Sequence, residues 1–511
     1  MKLSLPIDSL LPQITEHLTE KSNLILQASP GSGKTTRVPP ALLKMIPEGK
    51  EIWVLVPRRL AAKAAARRMA EELGENVGET VGYQFRFETV TSAKTQIRLM
   101  TEGLFPKLLR QDPQLKKVGA VILDEFHERH LHTDTALGLL KNIQNKNRPD
   151  LKIIVMSATI ETEKLAQYLS SSVITLESPI YPLEISYLPH IPQGRLDDLV
   201  FQTLQTIQKK NLAGDVLVFL PGFADIRRCE KKLIGQFQNT KILSLYGDLS
   251  KEEQDLVFQK ISERKIILST NIAESSLTIP GVSIVIDSGW HRQASFSHWS
   301  GIPSLKTRPI SQASAIQRAG RAARMGPGVC FRLYTRSDFE GRTPFEKPEI
   351  LRADLSQMIL ELKSLHNFPL DWFENPPAQH VQTSLNLLCQ LGAVDSDLLT
   401  SSLTKEGSEM ADLPLHPRLS RMLLEAKKRE CLSEAIQLAA LMSEGDFQSL
   451  DVMEELKRDD WDFETKKLIQ SLTTTLIASP TKKFLSENLA QSLLSAFSDR
   501  VAQKESALSG G

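Results

Sequence analysis

An apolar strand that runs into a glycine-rich loop bearing lysine and threonine leaves a chain few ways to fold. Leu24-Ile25-Leu26 reads as that strand, and Ala28-Ser29-Pro30-Gly31-Ser32-Gly33-Lys34-Thr35 fits GxxxxGK[ST] apart from Ala28 at its first position. Such a loop joins a buried parallel strand to a helix N-terminus, where glycines let backbone N–H groups converge on phosphate oxygens. Gly31, Ser32, Gly33, Lys34, Thr35 and Thr36 are therefore the candidate nucleotide-binding residues. Lys34 would place a cation on the β and γ phosphates, and the Thr35 hydroxyl could ligand Mg²⁺. Pro39 and Pro40 should kink the following helix after its first turns.

The rest of the first two thirds agrees with that reading. Short β-branched runs recur between helical patterns at Ile52 to Val56, Val118 to Leu123 and Ile153 to Met156, as βαβ units with a buried parallel sheet require. After Pro179 and Pro182 the pattern restarts, with runs at Val216 to Leu220, Ile242 to Leu245, Ile266 to Leu268, Ile284 to Ile286 and Val329 to Leu333. Two α/β domains in tandem are the simplest account, and 511 residues are too many for one core. From about Glu349 the strand signals fade and helical spacing takes over, as in Leu351, Leu355, Met358, Ile359 and Leu362.

The strand Val118 to Leu123 ends in Asp124-Glu125-Phe126-His127, two carboxylates at the C-terminal edge of a sheet where ligands bind. Asp124 suits Mg²⁺, directly or through water, and Glu125 is the candidate general base for water attacking a γ phosphate. A loop and an acidic pair fit many nucleotide hydrolases, transporters and switches among them. Gln317-Arg318-Ala319-Gly320-Arg321-Ala322-Ala323-Arg324 narrows the choice. On a continuous helix Gln317, Arg321 and Arg324 would share one face. A polar group for the attacking water beside two guanidinium groups is arginine-finger chemistry supplied by a second domain.

With these motifs the sequence resembles superfamily 2 helicases of the DEAH-box group, most closely the bacterial HrpB type. Pro57-Arg58-Arg59, Thr101-Glu102-Gly103, Asp124 to Arg129 and Ser157-Ala158-Thr159 stand in family order, followed by Phe219 to Gly222, Leu245-Tyr246-Gly247 and Ser269 to Ile279. Phe126, where most DEAH proteins carry alanine, points to the HrpB type. The resemblance continues through Pro348 to Arg352, Leu387 to Ala393, Leu403 to Gly407 and Leu415-His416-Pro417, and weakens beyond about residue 450. It implies two tandem RecA-like P-loop domains, parallel sheets flanked by helices, at 1–180 and 181–345. A winged-helix-like module at 346–400, a helical ratchet-like domain at 401–470 and a helical tail at 471–511 would follow. HrpB-type relatives usually carry a further C-terminal region, so the sequence is expected to be a short member or a truncated one. Ala28 and Ala323 depart from family glycines, and Pro280 stands where relatives often have an acidic residue near the ribose.

The resemblance also assigns contacts. Arg58 and Arg59, in a basic run with Lys63, Arg67 and Arg68, would touch the phosphate backbone of a nucleic-acid strand, together with Thr101, Gly103, Thr270 and Asn271. Such contacts position a strand without reading its sequence. Ser157, Thr159 and His127 would couple nucleotide to strand, Thr278 would meet the nucleotide, and Arg68 with Phe258 would sandwich its base. No glutamine motif of the DEAD-box kind precedes the loop to read adenine. The implied activity is an ATP-dependent helicase or translocase moving 3′ to 5′ on single-stranded nucleic acid, RNA being the usual DEAH substrate and DNA staying open. An alternative with nearly the same sequence is a nucleotide-gated RNA-binding clamp that remodels ribonucleoprotein without processive unwinding.

Composition adds boundaries. Lys plus Arg number 62 against 61 Asp plus Glu, so nucleic-acid contact must come from a local cluster and not from an overall field. The four cysteines are too scattered for a zinc knuckle or a redox pair. Pro6 and Asp8 break the first apolar stretch, and no apolar run approaches the roughly 18 residues of a membrane span. A cytoplasmic location without membrane contact is expected, and protein partners are not indicated.

Overall fold

The computed structural model describes residues 4–29, 31–158, 162–176, 181–246, 251–274, 279–297, 302–445, 449, 451–458, 460–477 and 486–501. The chain separates into two compact units, residues 1–353 and 354–511.

The first unit holds two parallel sheets, as the βαβ pattern requires. One contains β1 (Asn23–Ala28), β2 (Glu51–Val56), β3 (Val81–Gln84), β4 (Thr89–Val90), β5 (Ile97–Thr101), β6 (Val118–Leu123), β7 (Lys152–Ser157) and β8 (Ser172–Leu176). Their order is β4-β3-β5-β2-β6-β7-β1-β8, with only β4 antiparallel. The strands legible as continuous apolar runs, β1, β2, β6 and β7, lie towards the middle, where both faces are covered and the apolar run of each is buried. This order sets the loop after β1, the acidic pair after β6 and Ser157 at the end of β7 side by side on one edge. β1 and β7 pair with Gln27 opposite Ser157, and β7 pairs β6 with Val155 opposite Leu123.

The second sheet runs β11 (Thr240–Leu245), β12 (Arg264–Ser269), β10 (Asp215–Phe219), β13 (Val282–Asp287), β16 (Gly328–Arg332) and β9 (Leu183–Tyr187). A hairpin of β14 (Trp290–Ser297) and β15 (Ile302–Pro309) leaves it after β13 as a separate two-stranded sheet. The helix Gln312–Ala319 lies against β13.

The second unit is helical, with helices Ser356–Ser364, Ala378–Gln390, Lys405–Ala411, Pro417–Lys428, Leu432–Glu444, Phe463–Leu476 and Ser486–Phe497. An antiparallel bridge joins Val394 to Leu403. The buried Arg418 ties two of its helices by donating from both guanidinium ends to Asp499, at 2.7 and 2.6 Å, and to the Ala496 carbonyl at 2.7 Å. No described helix is long and apolar enough to cross a membrane.

The helix after the phosphate loop, Lys34–Leu42, contains Pro39 and Pro40 and gives way to a short 3₁₀ turn at Leu43. Its first turn is complete before either proline is reached, and the nine-residue element ends within a turn of them, so little of the ladder is lost. The helix expected to carry Gln317, Arg321 and Arg324 stops at Ala319. Beyond it the N–H groups of Arg321, Ala322 and Ala323 reach back three residues, not four, so the two arginines sit in tight turns below Gln317. Gly320 and the approach of Gly328 to the Ala322 backbone favour that tightening.

Candidate active site

The loop after β1 begins beyond Ala28, which is buried as the last residue of the strand and needs no glycine freedom. Gly31 and Gly33 have φ of +86° and +94°, the left-handed region that disfavours any side chain. At Gly33 a Cβ would also lie 2.6 Å from the Leu5 side chain, because the segment before Ile7 packs on the loop and the Ile7 N–H donates to the Ser32 carbonyl at 3.1 Å. Ser32 is buried with its hydroxyl unpaired, a donor at hand for an entering oxygen. Thr36 stays local, its hydroxyl donating to the Gly33 carbonyl at 3.3 Å.

Lys34 and Glu125, 3 % and 4 % exposed, form an ion pair at 3.2 Å, and the Thr35 hydroxyl donates to Asp124 Oδ2 at 2.5 Å. Glu125 has φ +52°, uncommon for a glutamate, and this turns the chain sharply off β6. Burial would raise the Glu125 carboxyl, but the Lys34 ammonium and His127 beside it more than offset that and hold it below its ordinary value. At Asp124 the balance reverses: burial and the adjacent Glu125 charge outweigh Lys34 and the Thr35 hydroxyl and push it up to about 6. A hydroxyl and a carboxylate are hard oxygen donors of the kind Mg²⁺ prefers, so Thr35 and Asp124 fit the ion with Glu125 adjacent. Bound there, Mg²⁺ would neutralise charge on phosphate oxygens.

His127 Nδ1 accepts from the Ala158 N–H at 3.3 Å and lies 3.5 Å from Glu125, which links the acidic turn to the segment after β7. Ser157 is buried at that strand's end. Burial lowers the His127 pKa despite Glu125, so the ring is neutral. With Nδ1 accepting, the proton is on Nε2, which is buried without a partner.

From the second sheet, Arg324 lies across from the loop, its Cδ and Nε 3.9 Å from where a Gly31 side chain would begin. Burial lowers the pKa of Arg321 well below its ordinary value and that of Arg324 to about 10, and Glu125 is the carboxylate that opposes the shift at both. An arginine stays protonated in proteins, so these shifts mean cations held in a dry cleft where an entering anion is drawn strongly. Arg321 is fixed by the Glu274 carbonyl, which accepts from its Nε at 3.0 Å and also from Nη2. Gln317 is half-buried on the last turn of its helix.

The structure thus gathers Gly31, Ser32, Lys34, Thr35, Asp124, Glu125, His127, Arg321 and Arg324 at one cleft between the sheets. Each member of the base-sandwich pair has a partner of its own. Arg68 is half exposed and paired with Glu72 at 2.8 Å, while Phe258, at the end of the helix Lys251–Phe258, packs against the core of the second sheet. Pro280 offers its carbonyl to buried Lys265 at 3.3 Å. Arg59, Gly103 and Asn271 are exposed, and Thr101 and Thr270 partly so, as strand contacts should be. Arg58 is engaged by Glu128 and by the Asn271 carbonyl. Thr159 and Thr278 lie outside the described residues.

Sequence reasoning missed the residues that hold these in place. Arg318 is fully buried, donating to Glu274 Oε2 at 2.9 Å, Asp287 Oδ1 at 3.0 Å and the Trp290 carbonyl at 3.2 Å. The signal was present: Arg318 follows Ala315 by three and Ala319 precedes a glycine, so the arginine stands on the apolar face and demands buried carboxylates.

A phosphate loop on one parallel sheet, met across a cleft by arginines from a second, makes a candidate nucleoside-triphosphate site shared by tandem domains. The family "DEAD/DEAH box helicase" matches residues 11–168, "Helicase conserved C-terminal domain" matches 197–326, and "Helicase associated domain (HA2), ratchet-like" matches 416–475. The chain belongs to the DEAH-box helicases and is of the HrpB type. It is 35 % identical over 512 residues to the ATP-dependent RNA helicase HrpB of Escherichia coli, covering 98 % of this chain and 62 % of that one. It is 38 % identical over 457 residues to the ATP-dependent RNA helicase HrpA of the same organism, covering 86 % of this chain and 35 % of the relative. A crystal structure of the Escherichia coli DEAH/RHA helicase HrpB superposes with a TM-score of 0.88 at 35 % identity, over 97 % of this chain and 64 % of that one. The chain therefore spans from about a third to under two thirds of these relatives.

Proposed function

We propose that this chain is an ATP-dependent RNA helicase that couples hydrolysis between its two sheets to 3′-to-5′ movement on single-stranded RNA in the cytoplasm. The observation that carries the reading is the cleft itself, with Arg321 and Arg324 facing the carboxylate and loop of the other sheet. The names of the relatives support RNA as the substrate, and a DNA strand would meet the same phosphate contacts.

In this reading the loop N–H groups and Lys34 hold the triphosphate, and Thr35 and Asp124 hold Mg²⁺. Lys34 leaves Glu125 when phosphate arrives, which frees a buried, ionised carboxylate to take the proton of the attacking water. Arg321 and Arg324 then stabilise the charge spreading over the γ-phosphoryl oxygens, with Gln317 beside the water. His127, bonded to the Ala158 N–H, carries the change to the segment after Ser157. Arg58, Arg59, Thr101, Gly103, Thr270 and Asn271 hold the strand by its backbone. Arg68 and Phe258 close on the base by stacking, which every base permits, so GTP, CTP and UTP should be hydrolysed with kcat/KM within about tenfold of ATP.

Steady-state ATPase assays with and without poly(U) test the proposal. Stimulation by RNA is expected at low salt and should fade steeply as salt rises, since phosphate contacts release counterions. Hydrolysis indifferent to any nucleic acid at low salt would contradict it.

A further inference from the structure

Arg58 leaves the first sheet to meet the second. Its Nη1 donates to the Asn271 carbonyl at 2.8 Å, and its Nη2 donates to Glu128 Oε2 at 3.2 Å. Glu128 is itself held, because the same oxygen lies 3.3 Å from His130 Nε2, while His130 Nδ1 lies 3.3 Å from Glu102 Oε2. An imidazole that meets a carboxylate at both nitrogens donates from both, which only the cation can do. The two hydrogen-bonded carboxylates outweigh burial and raise the His130 pKa well above its ordinary value, in accord with that geometry. Glu102, His130, Glu128 and Arg58 form an alternating row of charges in which each anion is shared by cations on either side or anchored on one.

The row ends on a single turn of backbone. Asn271 opens the 3₁₀ turn Asn271–Ala273, and its carbonyl accepts from Arg58 and also from the Glu274 N–H at 3.0 Å. The Glu274 carbonyl receives Arg321, and the Glu274 carboxylate receives Ser314 at 2.6 Å and Arg318 at 2.9 Å. Arg58 and Arg321 therefore hold opposite ends of one turn four residues long. Arg58 uses two of its five N–H groups on Asn271 and Glu128, and its side chain is 21 % exposed, which leaves N–H groups over for a phosphate oxygen.

We infer that Glu128 and His130 are positioning residues that fix Arg58 on the Asn271 carbonyl, so that a strand bound at Arg58 bears through the 271–274 turn on Arg321. The inference rests on the proposed reading of Arg58 as a strand contact and Arg321 as a finger. His130 neutralises Glu128, which keeps that carboxylate from repelling the incoming phosphate while it still orients Arg58. Without Glu128, Arg58 could bind a phosphate and yet leave the second sheet.

The test uses the whole chain with Glu128→Gln, equal in shape but uncharged, and His130→Gln as a second variant that should act in the same direction. The first arm needs no RNA. Dyes on the exposed positions Lys94→Cys and Gln236→Cys, with Cys389→Ser to remove the half-buried thiol, report the distance between the sheets by single-molecule energy transfer. Glu128→Gln should broaden that distribution relative to the parent; an unchanged distribution in both variants overturns the inference. The second arm is the ratio of kcat with and without poly(U). Glu128→Gln should lower this ratio at least ~5-fold, the low end of coupling between sites, and should add nothing once Arg58→Gln is present. An equal loss in the Arg58→Gln background would show that Glu128 acts elsewhere and overturn the inference. A parent protein whose turnover ignores RNA would defeat the helicase reading and with it the relay to Arg321, and the energy-transfer arm would then decide the positioning of Arg58 alone.

Discussion

Replacing Arg318 by methionine isolates the buried network that carries Arg321. Methionine keeps much of the volume and the packing on the Phe219 ring, whose centroid lies 4.9 Å from the guanidinium carbon, but removes the charge. Asp287 is fully buried, and its remaining donors are the Tyr334 hydroxyl at 2.9 Å and the Gly289 N–H at 3.0 Å. Glu274 keeps Ser314 and is partly open to water, so its loss is the smaller. Removing one partner of a buried pair costs about 3–5 kcal/mol, and the two donors left to Asp287 place this case near the lower end, ~3 kcal/mol. Native-state hydrogen exchange, read on peptides spanning 282–290 and 312–319, reports that local free energy, and 3 kcal/mol corresponds to exchange roughly 10²-fold faster. Asp287→Asn in the same chain removes the stranded carboxylate, so the double variant should exchange more slowly than Arg318→Met alone. A loss below ~1 kcal/mol, or two losses that simply add, would refute the claim that these charges hold one another.

Three further outcomes follow from the cleft and from the second unit. Lys34→Ala should abolish turnover, whereas Glu125→Gln should still bind ATP yet hydrolyse it at least ~100-fold more slowly; normal turnover in the latter would remove Glu125 as base. Arg321→Ala and Arg324→Ala should each lower kcat by about 10³-fold with little change in nucleotide affinity, and a change confined to KM would make them ground-state ligands. Asp354 accepts from His416 Nε2 at 2.9 Å and from the Ser356 N–H at 2.8 Å. Burial works to raise its pKa, and these partners more than offset it and lower the carboxyl to about 2. Because the folded carboxyl binds its proton less tightly than the unfolded one, the stabilisation is complete above about pH 4 and is lost as pH falls towards 2. Denaturation of Asp354→Asn beside the parent should show a deficit of about 2 kcal/mol at neutral pH that closes near pH 2, and a deficit independent of pH would contradict the assignment.

The parts of the fold that were legible are those where one physical requirement dominates. The central strands β1, β2, β6 and β7 are buried on both faces, so their sequences are unbroken apolar runs; β10, β12 and β13 read the same way. β3, β4 and β5 lie on the outer side of their sheet, β8 and β9 at edges, and their burial is partial and interrupted by polar residues, which erases the run. The loop, the acidic pair and the arginines were legible because phosphate chemistry needs those residue types at those spacings. The geometry that unites them was not, since Arg318, Glu274 and Glu128 act through partners 31 to 70 residues away, and His130 through Glu102, 28 residues away. The Gln317 segment shows the limit well: helical spacing predicted a shared face, whereas Gly320 and the close approach of Gly328 tighten the turn, and a carbonyl at Glu274 decides where Arg321 points. The base pocket was inferred from resemblance alone, and the salt bridge of Arg68 to Glu72 and the core packing of Phe258 leave it to be tested with nucleotides.

The most direct test of the central claim is strand displacement by the whole chain on a fluorescently labelled RNA duplex bearing a single-stranded overhang at either its 3′ or its 5′ end, followed with ATP in the presence of Mg²⁺. The account predicts that the 3′-overhang duplex is opened with ATP, that the 5′-overhang duplex is not, and that Glu125→Gln opens neither while still binding the overhang. RNA-stimulated ATP hydrolysis with no displacement from either duplex would contradict it.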